Sequence, residues 1–150
     1  MYDSRNDTLN HRGMVSDIIH ILIAALIARA STHDESKLHY PEKELFDIYT
    51  PKLKELTYGS AEYQESLNAL KPALDHHYAN NSHHPEYYKN GIEGMDLVDL
   101  CEMLCDWKAA TMRHADGDIY KSLVINKQRF NISDDLYSIL KNTVTRFMNE

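Results

Sequence analysis

The sequence predicts an all-α protein with about six helices in a single domain. Apolar residues recur at spacings of three and four along most of the chain, and the strict alternation typical of strands is nearly absent. A length of 150 residues suits one domain with its own core. Hydrophobic residues make up 43% of the chain and charged residues 26%, which argues against a fibrous or mainly disordered protein.

Local signals predict three helices in the first half of the chain. The first is expected over His11–Ala30, after a lightly ordered N-terminus at residues 1–10. The second begins near Pro41, which suits a first helical turn, and a kink or break is expected at Thr50–Pro51. The third is expected over Ser60–Tyr78.

Three further helices are predicted in the second half. The stretch from Met95 to about His114 is densely apolar and is expected to be the central buried helix. A shorter helix follows Gly117. Ser133 precedes two aspartates and is a typical N-cap for a last amphipathic helix, an exposed part of which would be a natural surface for a homodimer.

The charge balance and the apolar runs exclude several classes of partner. Lys and Arg total 16 against 23 Asp and Glu, so there is no overall basic surface for duplex nucleic acid. The longest apolar run, Ile18–Ala28, is shorter than the roughly 20 residues that cross a bilayer, and no secretory signal is visible at the N-terminus. We therefore expect a cytoplasmic protein with no membrane contact.

Nine histidines, mostly in pairs or beside an aspartate, are the unusual feature of the composition. His33 and Asp34 offer adjacent nitrogen and oxygen ligands, a combination that suits Zn, Fe, Mn or Co, although such a pair also occurs as a helix cap. Lys37 lies three residues later, where an ammonium group could bind a phosphate oxygen beside the metal. His11 could join this group only if the chain folds back.

A second histidine cluster lies in the middle of the chain. It consists of His76 and His77, followed by His83 and His84. Four imidazoles in nine residues are difficult to place in a core, because each buried ring needs partners for both nitrogens. A metal site or a surface patch explains them, and the spacing leaves open which histidine of each pair points inward.

The third element is a row of charged residues on the predicted central helix. Steps of three, four and seven relate its members, Asp99, Glu102, Asp106 and Arg113. Carboxylates inside an apolar helix need cations, and a bound metal or an arginine would satisfy them. The alternative is a solvated helix face.

These residues together resemble the HD-domain superfamily of metal-dependent phosphohydrolases, in which a His, a His-Asp pair and a later Asp lie on a helical bundle. The run from His33 to Lys37 is similar to the signature shared by HD-GYP phosphodiesterases and myo-inositol oxygenase. Asp106 with Arg113 resembles the terminal-Asp helix of the HD-GYP type, and His11 takes the place of the first His. The chain also resembles a small HD-like group of bacteria and their viruses, from His11 to about Arg129.

The resemblance implies a compact HD-domain-like bundle that hydrolyses a phosphate ester of a small molecule, preferably a nucleotide, with a metal-activated water. One or two divalent ions are implied: Mn, Fe, Co, Zn or Ni, with Mg as a further option. The implied ligands are His11, His33, Asp34, His77, His83, His84 and Asp106. Asp34, Lys37 and Arg113 would carry catalysis, Lys37, Arg113 and Lys121 would bind substrate, and Glu86 or Glu102 would orient a histidine ring. The implied location is the cytoplasm of a bacterial or virus-infected bacterial cell.

Two other functions are compatible with the same residues. A pair of irons on this scaffold would support oxygenase chemistry, as in myo-inositol oxygenase. A non-catalytic protein would instead sequester a nucleotide with its metal.

Overall fold

The computed structural model describes residues 2–56, 60–113 and 117–148, and these residues confirm the predicted all-α class with six α-helices and no strand. The helices are α1 (Arg5–Thr32), α2 (Glu42–Glu55), α3 (Ala61–Asn80), α4 (Leu97–Thr111), α5 (Ile119–Arg129) and α6 (Asp134–Phe147). Short 3₁₀ turns lie at Glu35–Leu38, Pro85–Tyr87 and Gly91–Gly94.

Some helix ends differ from those predicted. Helix α1 begins at Arg5 rather than His11, so residues 5–10 are helical. Helix α2 continues through Pro51 without a break, although proline lacks one backbone hydrogen-bond donor, and the helix packs against α3. Helix α4 ends at Thr111, and the predicted end near His114 lies outside the described residues.

The chain divides into two units, residues 1–33 and residues 34–150, and the single-domain expectation stays a prediction. The first unit consists of α1, in which no residue is buried. The stretch Arg5–Leu38, which includes α1, contains a window with a mean hydropathy of 1.7, so by length and composition alone a helix there could cross a membrane. Signal sequences and core helices share these properties, and the cytoplasmic location stays a prediction.

The apolar core of the second unit lies between α4, α5 and α6. Its buried residues are Met103, Leu104, Ile119, Leu123, Ile132, Leu140 and Val144. Helix α4 was expected to be the central buried helix, but one of its faces is open to solvent, because Leu97, Cys101 and Cys105 are exposed. The predicted cap of α6 forms, since Ser133 accepts a hydrogen bond from the backbone N–H of Leu136.

The other end of the second unit brings the histidine-rich segments together. The 3₁₀ turn Glu35–Leu38 contacts both α2 and α3, and the 3₁₀ turn Pro85–Tyr87 contacts α3. Asp34 immediately precedes the first of these turns, and His84 immediately precedes the second. Both residues therefore lie near the last turn of α3, which carries His77.

Candidate metal centre

Four potential metal ligands converge in the second unit: Asp34, His77, His83 and His84. One ligand atom of each lies within 4.8 Å of those of the other three. His77 Nε2 is 3.2 Å from Asp34 Oδ1 and 2.9 Å from His84 Nε2, and His83 Nε2 is 3.6 Å from Asp34 Oδ1. His77 and His83 are each 1% exposed. One carboxylate oxygen and three imidazole nitrogens thus face a common point.

The backbone at Asp34 directs its carboxylate into this cluster. Asp34 has a φ of 58°, in the left-handed region that Asp tolerates better than most residues. Its backbone carbonyl accepts a hydrogen bond from the N–H of Lys37, and Lys37 Nζ lies 2.6 Å from Asp34 Oδ2. Lys37 therefore holds one carboxylate oxygen, while the other faces the imidazoles.

Glu42, on the first turn of α2, anchors the His77 ring from behind. Glu42 is fully buried, and its Oε2 lies 2.9 Å from His77 Nδ1 and 3.0 Å from the hydroxyl of Ser36. Its Oε1 lies 2.7 Å from His76 Nδ1. The amide of Asn81 donates to Ser36 Oγ and to the His77 carbonyl, both at 2.8 Å. Because a carboxylate accepts, His77 donates from Nδ1 and presents the Nε2 lone pair to the cluster.

Helix α4 places two carboxylates beside His83. His83 Nδ1 lies 3.2 Å from Glu102 Oε1, and the Glu102 side chain is only 8% exposed. A ligand atom of Asp106, one helical turn later, lies within 4.8 Å of one of His83. His83 thus has an arrangement similar to that of His77, with a carboxylate at Nδ1 and the cluster at Nε2.

The third ring, His84, is held in its neutral form. Burial, followed by the neighbouring His83, His77 and Lys37, lowers the pKa of His84 to about 3, against an opposing effect of Asp34. At neutral pH this ring carries no charge. A neutral imidazole is the form that binds a metal ion.

The donor set fits a divalent transition metal. Metal–nitrogen and metal–oxygen bonds of about 2.0–2.2 Å at tetrahedral angles separate neighbouring ligand atoms by about 3.3–3.6 Å. The distances between ligand atoms given above, 2.9, 3.2 and 3.6 Å, lie around that value. Three imidazoles with one carboxylate suit Zn, Fe, Co, Ni or Mn, whereas Mg prefers oxygen ligands throughout.

A second buried carboxylate, Asp99, fixes the segment that carries two of the imidazoles. Asp99 is 1% exposed and accepts hydrogen bonds from the hydroxyls of Ser82 and Tyr88 and from the backbone N–H of Asp96. These bonds attach residues 82–88 to the first turn of α4. Burial, followed by the Asp99 carboxylate, raises the pKa of Tyr88 to about 12.

Three other predicted site residues lie in polar or exposed surroundings. Glu86, an alternative to Glu102 as the residue that orients a ring, forms an ion pair with Arg129 at 2.8 Å. Arg113 follows the end of α4 and is exposed. The side chain of Lys121 is 79% exposed and lies near Asp118. The proposed roles of Arg113 and Lys121 in substrate binding stay predictions.

The histidine pairs differ in how the structure places their members. His77 belongs to the cluster, whereas His76 has a 40% exposed side chain and contacts Glu42. His83 and His84 both belong to it. His11 is exposed on α1, and His33 directly follows that helix, so both belong to the first unit and their roles as ligands stay predictions.

Sequence reasoning missed the residues that support His77 from behind. Glu42 precedes Leu45 by three residues and Phe46 by four, on the less exposed face of α2, and a carboxylate at such a position needs a partner. That spacing could have identified it. Ser36 and Asn81 have no comparable signal, because their role depends on contacts made across more than 40 residues.

Comparison with known proteins identifies a family. No curated protein and no solved structure matches the chain significantly. One family model does, over residues 1–146, which is nearly the whole chain. The protein therefore belongs to DUF5662, a family of unknown function.

Proposed function

We propose that this protein is a metal-dependent phosphohydrolase that cleaves a phosphate ester of a small molecule, with nucleotides as the preferred substrates. The observation that carries the proposal is the convergence of Asp34 Oδ1 with three imidazole nitrogens. The resemblance of the His33–Lys37 run and of Asp106 to the HD-domain pattern supports the same reaction class.

Each residue of the cluster has a specific task in this proposal. Asp34 and the three imidazoles would bind the cation, while Glu42 and Glu102 hold two of the rings in the required orientation. A bound divalent cation would supply Lewis acidity and a water nucleophile at neutral pH. Asp106, which has a ligand atom within 4.8 Å of one of His83, would be an additional oxygen donor beside this cluster.

Lys37 is suited to contact the phosphate. Its ammonium has three donors, of which Asp34 uses one, and its side chain is 35% exposed. It also lies 5.5 Å from the centre of the Phe46 ring, which limits its freedom. The remaining N–H groups would bind a phosphate oxygen and stabilise the negative charge that develops there during hydrolysis.

A neighbouring cleft supports a nucleotide as substrate. It is largely open to solvent, has a volume of about 700 Å³ and is lined by Asp75, Tyr78, Ala79, Glu86 and Tyr87. The Tyr78 ring lies 4.9 Å from the ring of His84, so the cleft adjoins the metal centre. Its volume is in the range of small-molecule sites, and its tyrosines offer faces on which a base could stack.

A phosphatase screen tests the proposal. The untagged protein is incubated with nucleotides, sugar phosphates and cyclic dinucleotides in the presence of Mn, Fe, Co, Zn, Ni or Mg. The variant Asp34→Asn serves as the inactive form, because Asn also tolerates the left-handed backbone and changes only the charge of the ligand. Asp47→Asn, on an exposed surface of α2, is the matched control.

The expected result is metal-dependent phosphate release by the wild type and Asp47→Asn, with a loss of more than about 100-fold in Asp34→Asn. Equal release by Asp34→Asn would place hydrolysis outside this cluster and contradict the proposal. Stoichiometric nucleotide retention without turnover would identify a sequestering protein. Oxygen consumption by the iron form would identify an oxygenase.

A further inference from the structure

We infer that Glu42 is a positioning residue of the metal centre, which holds His77 in the tautomer and orientation that binds the metal. The inference rests on the metal centre of the proposed function and adds a residue that no motif of the sequence indicated. Glu42 itself does not belong to the converging group of ligands.

Three side chains contact the two oxygens of the Glu42 carboxylate. The carboxylate is 0% exposed, and both oxygens are in contact with imidazole nitrogens, Oε2 with His77 and Oε1 with His76. The Ser36 hydroxyl is a second donor to Oε2, and the Asn81 amide donates to that hydroxyl in turn. These contacts favour one orientation of the buried carboxylate, in which Oε2 accepts from His77.

The Glu42 carboxylate determines the chemistry of the His77 ring. A neutral imidazole has one N–H group and one lone pair, and the carboxylate at Nδ1 selects the form with the proton on Nδ1. The lone pair is then on Nε2, which lies 3.2 Å from Asp34 Oδ1. A carboxylate behind the ring also raises the basicity of the ligating nitrogen, and loss of such a partner typically weakens metal binding by about 10- to 100-fold.

The experiment compares Glu42→Gln with Glu44→Gln. Both glutamates lie in the first turn of α2, but Glu44 is exposed. The affinity for Co²⁺ is measured by visible absorption titration, and the thermal stability of the metal-free proteins is measured by circular dichroism. We expect Glu42→Gln to bind Co²⁺ about 10- to 100-fold more weakly than the wild type, and Glu44→Gln to bind it equally well.

The controls separate this inference from the proposed function. If the wild type binds no divalent metal, the proposed function fails. If the wild type binds Co²⁺ and Glu42→Gln binds it equally well while unfolding at a lower temperature, Glu42 is only structural and the inference alone fails.

A measurement on the wild type tests the inference even if Glu42→Gln does not fold. Long-range ¹H–¹⁵N spectra of the metal-free protein report which nitrogen of each imidazole carries the proton. We expect the proton of His77 on Nδ1. A proton on Nε2 of His77 would overturn the inference.

Discussion

Glu42 and Asp99 are both buried carboxylates, but they meet different donors. Glu42 contacts the ring nitrogens of His76 and His77, and therefore determines how a potential metal ligand is presented. Asp99 accepts from the hydroxyls of Ser82 and Tyr88, and therefore attaches a loop to a helix. Equal burial of the same chemical group thus serves ligand orientation in one region and loop attachment in the other.

The groups that donate to Glu42 and to Asp99 predict whether a substitution there changes metal affinity or stability. Around Glu42, a substitution should change the affinity for metal more than the stability of the metal-free protein, because the ring it orients faces other ligands. Around Asp99, a substitution should change the free energy of unfolding more than the affinity for metal. Substitutions in the two regions can test this difference directly.

The largest effect is expected from replacing one of two adjacent histidines. His77→Asn should weaken Co²⁺ binding by more than about 100-fold, because it removes a ligand rather than the partner of a ligand. His76→Asn should weaken it by less than about tenfold, since His76 reaches the centre only through Glu42. The measurement is a Co²⁺ titration of both variants under conditions in which they are folded.

Equal losses in the two histidine variants would contradict this distinction. They would mean that His76 and His77 support metal binding to the same extent. A larger loss in His76→Asn would reverse the assignment of the inward ring.

The next effect concerns Asp99. Asp99→Asn keeps the size of the side chain but replaces a charged acceptor of two hydroxyls and a backbone N–H. We expect the free energy of unfolding to fall by about 1.5–3 kcal/mol, the usual contribution of hydrogen bonds to a charged group. Urea denaturation measures this, with Asp135→Asn, exposed on the first turn of α6, as the matched control.

Equal weakening of Co²⁺ binding by Asp99→Asn and Glu42→Gln would contradict the distinction between the two carboxylates. In that case Asp99 would control the positions of the imidazoles as well as the attachment of the loop. An unfolding free energy equal to that of Asp135→Asn would show that Asp99 contributes no stability.

The helices were predictable because their signals are local. Ser60 and Ser133 cap α3 and α6 through their own side chains, within three residues of the groups they bind. The break predicted at Pro51 was wrong, because α2 continues through that residue and packs against α3, whereas the predicted kink stays a prediction. The partial exposure of α4 was also missed, since apolar spacing alone does not show which apolar residues are covered.

The candidate site was predictable only in part. The types and clustering of His77, His83 and His84 indicated metal chemistry, because that many imidazoles have few other uses in a short segment. Their support by Glu42 depends on the packing of α2 against α3, which joins residues 35 positions apart. A pattern read along the chain does not contain that packing, and so the residues that contact the candidate ligands were missed.

The smallest effect is expected at Tyr88, which tests the Asp99 region by a different route. Tyr88→Phe removes one donor to Asp99 and should lower the free energy of unfolding by about 1–2 kcal/mol, without a change in Co²⁺ affinity. Tyr40→Phe, at a site that is 79% exposed, should change it by less than about 0.5 kcal/mol.

Ionisation of the same phenol gives a second measurement. Because burial and Asp99 raise the pKa of Tyr88 from 10.0 to about 12, the stability supplied by its neutral form is present below pH 10 and is lost as the pH rises toward 12. The difference in ultraviolet absorbance between wild type and Tyr88→Phe should therefore show a phenol that ionises near pH 12. A transition near pH 10 would mean that Asp99 does not hold this hydroxyl, and the loop attachment would then depend on Ser82 and the cap of α4 alone.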